Sequence, residues 1–211
     1  MTSADRTPVE DLRLLAVDLE TSGLSPAHDR ILAVGWVPVD GTRIDLSGAR
    51  RHLVRQDEPG DAVTIHRLTH DDLETGRPLA EVLAELRTAL EGRVLLAHHA
   101  PFDRGFLDAG YRSLGQPSLR GPDVCTLVLQ RRLLTPRGEI PRGALRLWRA
   151  RAHYGLPVAR AHDALGDALA CAELYLAQVA ELRAHRPVRL RDVRRRVPLL
   201  DRLRAWWKGR R

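Results

Sequence analysis

The chain has 211 residues, 44% of them hydrophobic, with a formal net charge of +7, which fits one α/β domain with a sizeable core and room for a tail. No apolar run approaches the roughly 18 residues of a membrane span, and the polar start, Met1 to Leu12, has no apolar signal-peptide core. Cys125 and Cys171 lack disulfide or zinc-ligand spacing, so the expectation is a cytoplasmic protein with reduced, packed thiols.

Residues 1–11 are expected to be disordered. Leu14 to Leu19 reads as a first strand that ends in Asp18-Leu19-Glu20, and Thr21-Ser22-Gly23-Leu24-Ser25-Pro26 is turn chemistry. Ile31 to Val39 is a second strand. Asp40-Gly41 is a hairpin signal, with Thr42 to Leu46 returning and Arg51 to Arg55 as further strand. Pro78 opens a helix whose Leu79, Val82, Leu83, Leu86 and Leu90 share one face, and Gly92 closes it. Val94 to Ala97 is a short strand leading to His98-His99 and a helix over Pro101 to Leu114. After Gly121-Pro122-Asp123, Val124 to Leu134 suits strand or helix equally. Leu145 to Tyr154 is helical, with Trp148 assigned to the core. A long helix runs from Ala164 to Arg183 with Asp163 as N-cap. Hairpin strands followed by alternating helix and strand predict an α/β fold: a mixed sheet, antiparallel hairpin strands plus parallel ones, flanked by helices.

Three acidic positions stand at the ends of predicted elements, where α/β folds place their sites. Asp18 and Glu20 are two apart on a strand and project to one side. A buried pair of like charges calls for a cation between them. Asp103 follows the His98-His99 strand end, and His162 and Asp167 bracket the start of the last helix. Singly, each has a bland reading: Asp18 and Glu20 as solvated strand-end acids, Asp103 as a first-turn helix acid, Asp167 as a surface acid, His162 as a surface histidine. Phe102 and Leu24 read first as packing residues.

Together, Asp18-x-Glu20, His98-x-x-x-Phe102-Asp103 and His162-x-Ala164-Leu165-x-Asp167-Ala168 resemble the DEDDh exonucleases of the ribonuclease H-like superfamily, over roughly Leu14 to Leu182. Thr21 to Leu24 and Ile65-His66-Arg67-Leu68-Thr69 fit the same pattern. His99 stands where many members carry Asn, Asp163 where Ala, Gly or Arg is frequent, and Arg67 where Gly is common, but no signature group is missing. The resemblance implies a 3′→5′ exonuclease acting on single-stranded 3′ ends with two magnesium or manganese ions. These hard cations prefer oxygen ligands and serve both ends of an in-line displacement. It implies metal-binding roles for Asp18 (bridging), Glu20, Asp167 and, partly through water, Asp103. It makes His162 the general base, an imidazole being suited to proton transfer near neutral pH. Thr21, Gly23, Leu24, His66 and Phe102 would border the terminal nucleotide, and His98 would support them by orienting the strand end. DNA in a proofreading or repair setting is the favoured substrate. Rivals are an RNA-trimming or oligoribonucleotide-degrading enzyme and a non-catalytic binding module.

From Arg186 onward there are eleven basic residues against two acidic ones, while the body is nearly neutral. Leu199, Leu200, Leu203, Trp206 and Trp207 share one helical side. The domain reading is therefore a disordered 1–11, an exonuclease domain over 12–185 and a basic amphipathic tail over 186–211. That tail would suit nucleic acid, a protein partner or an anionic surface.

Overall fold

A computed structural model describes residues 3–56, 68–158 and 162–195. Its strands are β1 (Arg13–Thr21), β2 (Ile31–Asp40), β3 (Arg43–Ile44), β4 (Arg50–Leu53), β5 (Val94–Ala97) and β6 (Asp123–Cys125). Its helices are α1 (His70–Glu74), α2 (Leu79–Ala89), α3 (Ala100–Ser113), α4 (Thr126–Leu134), α5 (Leu147–His153), α6 (Ala164–Arg183) and α7 (Leu190–Val193). The strands form one mixed sheet in the order β3-β2-β1-β5-β6, with β4 also paired to β2. The β1–β2, β2–β3 and β2–β4 pairs are antiparallel, and β1–β5 and β5–β6 are parallel. This is the mixed, helix-flanked sheet that the order of elements predicts.

Alternation along β1 divides the core. Leu14 and Ala16 pack with Cys171, Ala172, Tyr175 and Val179 of α6. Leu15, Val17 and Leu19 pack on the other face with Val82, Leu83 and Leu86 of α2 and Phe106 and Leu107 of α3. Both cysteines are free and buried, as their spacing suggests.

The expected disorder of residues 1–11 is corrected over the described part. Residues 3–6 and 9–11 form short 3-10 turns, and Val9 is buried. The Val9 N–H donates to the Val188 carbonyl at 3.1 Å, and the Leu190 N–H to that of Thr7 at 2.9 Å. Val188, Leu190 and Val193 join the same core cluster. Residues 186–195 are thus a strap along the body, and what lies outside the described residues is 196–211, with Leu199, Leu200, Leu203, Trp206 and Trp207.

Two local readings also change. The strand expected over Thr42 to Leu46 is only Arg43–Ile44, because Asp45 accepts the Ser47 N–H at 3.0 Å and starts a 3-10 turn. Val124 to Leu134 is both elements in succession: β6 ends at Cys125 and α4 begins at Thr126.

Candidate active site

Because Leu14 and Ala16 face α6, Asp18 and Glu20 continue along that face. Gly35 is the register partner of Asp18 on β2. A Cβ there would come within 2.2 Å of the Ala164 backbone, so only glycine lets the first turn of α6 rest on the sheet across from Asp18. Asp163 caps that helix by accepting the Gly166 N–H at 3.0 Å, and also pairs with Arg51 Nε at 2.7 Å. One turn further, Asp167 arrives beside the strand pair. Carboxylate oxygens of Asp18, Glu20 and Asp167 lie within 4.8 Å of one another.

Asp103 reaches the cluster from a third direction. β5 pairs β1 only along Leu14 to Ala16, which leaves the end of β1 open on that side. The first turn of α3 fills the gap, and the buried Asp103 carboxylate accepts the Leu19 N–H and its own. It acts on Asp18 as a neighbouring charge but stands outside the 4.8 Å set.

Burial, then Asp103, Asp167 and Glu20, push the Asp18 carboxyl well above the usual carboxylate range. Burial, then Asp167 and Asp163, push Glu20 up to about 7, with Arg51 pulling weakly the other way. Burial raises Asp103 to about 7 against its backbone hydrogen bonds. Asp167 is also raised, chiefly by burial, against the N–H of His162. Four carboxyls so placed do not all ionise without a counter-charge. Glu20 Oε1 is buried with no hydrogen-bond partner among the described residues. A hard divalent cation fits this donor set, which is all oxygen.

His162 is the one non-glycine residue with positive φ, 66°, among the described residues. That left-handed backbone turns its N–H to Asp167 Oδ2 at 2.8 Å and leaves the residue exposed at the rim of a groove of about 880 Å³.

The remaining predicted residues divide. Thr21 is buried and its hydroxyl donates to the Gly23 carbonyl at 2.7 Å. Gly23 abuts the Asp29 carboxylate. Leu24 is 85% exposed, which corrects its reading as a packing residue and leaves it free at the turn. Phe102 stacks on His99, at 6.1 Å between ring centroids, and meets Phe106 at a tilt, at 4.9 Å. His98 is held internally by Thr126 Oγ1 at 2.8 Å and the Leu145 carbonyl at 2.9 Å. Burial depresses it to about 4, so it is neutral, and it borders the groove beside His162 and Asp167. His66 lies outside the described residues. Trp148, assigned to the core from sequence, is 54% exposed. Arg51 escaped the sequence reading altogether, since nothing in an edge-strand arginine signals its distant partner.

The mixed sheet with carboxylates gathered from β1, α3 and α6 is a ribonuclease H-like fold. Residues 15–175 match the RNase_T exonuclease family, and the chain belongs to it. The PolC-type DNA polymerase III of Staphylococcus epidermidis is 32% identical over 182 residues, 83% of this chain but 12% of that polymerase, so the chain spans a small part of such relatives. The nuclease domain of 3′hExo, a DEDDh family member solved with rAMP, superposes with a TM-score of 0.67 at 15% identity, covering 80% of this chain and 92% of that one. Exonuclease X, solved with 5′-overhanging duplex DNA, gives a TM-score of 0.62 at 25% identity over 81% of this chain and 92% of its own.

Proposed function

We propose that this chain removes nucleotides stepwise from 3′ ends of single-stranded nucleic acid, DNA foremost, as a proofreading or repair exonuclease. The observation that carries the reading is the partnerless, buried Glu20 Oε1 within a three-carboxylate set beside His162. Asp18, Glu20 and Asp167 would hold the divalent ions, two of magnesium or manganese, with Asp18 shared and Asp103 fixing the strand end behind it. Ions bound there would activate water and neutralise charge on the phosphoryl and leaving oxygens. His162 would take the proton of the attacking water on a ring nitrogen, its backbone tied to Asp167 so that base and carboxylate move together. Leu24 and the His99–Phe102 stack would border the terminal base.

The rAMP complex of 3′hExo keeps RNA as the second reading. Sugars are told apart by contacts to the 2′-hydroxyl. Incubation of 5′-labelled single-stranded DNA and RNA with magnesium and with chelator tests both. A magnesium-dependent ladder of one-nucleotide steps, stronger on DNA, is expected. A stronger ladder on RNA would favour the trimming enzyme, and binding without cleavage of either would leave only a binding module.

A further inference from the structure

The groove beside the carboxylates is larger than hydrolysis of one bond requires. It starts at His99, His162 and Asp167 and extends between α4 and α5 to Trp148 and Val158. Trp148 is half exposed, Val158 is fully exposed, and the Arg149 guanidinium lies 4.4 Å over the indole. Arg131 of α4 and Arg146, just before α5, line the same groove. Both are exposed, and neither forms an ion pair with a carboxylate among the described residues. An open apolar wall of this size marks a binding surface, and its charges say for what. An apolar helix from a partner would meet two unpaired guanidiniums. The segment 196–211 of this chain, with six basic residues and one acidic, would be repelled by them. A strand of nucleobases joined by phosphates satisfies both: flat rings for the indole, anions for the arginines.

We infer that this groove holds the strand upstream of the scissile bond, with a base stacked on Trp148 and its phosphates held by Arg131 and Arg146. The inference rests on the nuclease reading of the carboxylate site. It makes affinity depend on strand length, because a dinucleotide occupies the carboxylate end and only a longer strand reaches Trp148.

The test measures dissociation constants of a dinucleotide and a hexanucleotide of single-stranded DNA. Both carry phosphorothioate linkages to slow hydrolysis, and magnesium is present. Wild type is compared with Trp148→Ala and with the Arg131→Ala/Arg146→Ala pair. Trp148→Ala should weaken the hexanucleotide about tenfold, the worth of one lost base stack, and the dinucleotide by less than twofold. The arginine pair should flatten the hexanucleotide's salt dependence by about two charges. All three side chains are exposed, so melting temperatures should match wild type and exclude unfolding as the cause. Unchanged hexanucleotide affinity, or equal losses on both lengths, would overturn the groove assignment while leaving the nuclease reading intact. Wild-type protein that binds neither oligonucleotide would overturn both.

Discussion

Glu20 and Asp18 show how much a strand's parity decides. Their same-side placement followed from two-residue spacing alone, and the signature made Asp103, His162 and Asp167 legible with them. Side-chain environment was less so. Trp148 has Ala144, Leu145 and Ala152 at helical spacing, so the pattern read as core where the side chain is half exposed, and His98 could not reveal that Thr126 and Leu145 claim both its nitrogens. The raised carboxyls have a thermodynamic consequence. Without metal, the folded state holds protons that the unfolded chain releases above pH about 4. Stability is therefore full below that point and is lost as pH rises through about 7, where Glu20 and Asp103 ionise. Thermal melts in chelator should fall by several degrees between pH 5 and pH 8, and magnesium should restore the loss at pH 8 far more than at pH 5. A melting temperature that climbs over this interval would contradict the crowding of charge. Asp18→Asn should reduce hydrolysis to assay background, since it removes the ligand proposed to be shared by both ions. It should also raise the metal-free melting temperature at pH 8, because a carboxyl whose ionisation is opposed first by burial and then by its acidic neighbours is gone. Wild-type turnover in that variant would remove Asp18 from the site.

The element that sets the site is α6, whose bounds could be read because Asp163 caps it and its apolar positions repeat. Its docking could not be read: Gly35 is an unremarkable glycine in a strand until Ala164 is found against it. Gly35→Ala should force the first turn of α6 off the sheet at a cost of about 1–3 kcal/mol, and carry Asp167 away from Asp18 and Glu20. Denaturant unfolding with and without magnesium measures both effects. The metal-linked stabilisation should shrink along with the intrinsic stability, and its full retention would show that α6 is not held there by the glycine. The shortened β3 and the split at Cys125–Thr126 were illegible for a common reason. Each element is only two or three residues long, and its neighbours' hydrogen bonds, not its own pattern, define it.

Over the whole molecule, part of the positive charge at the C-terminal end has a structural use. Arg186, Arg194 and Arg195 pair with Asp192, Asp5 and Asp123 at 3.1, 2.9 and 2.6 Å, so part of the basic run fastens the strap. That use was hidden because Val9, Val188 and Leu190 are isolated apolar residues that only pairing brings together. Truncation after Arg195 should preserve the melting temperature, weaken binding to long single strands and reduce its salt dependence. Truncation after His185 should also remove Val188, Leu190 and Val193 from the core they share with Val9, each contributing about 1.5–3 kcal/mol at most, and lower stability severely. Equal melting temperatures for the two would deny the strap its structural role, and an unchanged salt slope in the longer fragment would deny 196–211 a part in holding nucleic acid. The carboxylate set, finally, draws on β1 near the start of the chain and on α6 well past its middle. During synthesis Asp18 and Glu20 leave the ribosome long before His162 and Asp167 exist. A carboxylate set laid out in this order stays incomplete on the ribosome until α6 has been made.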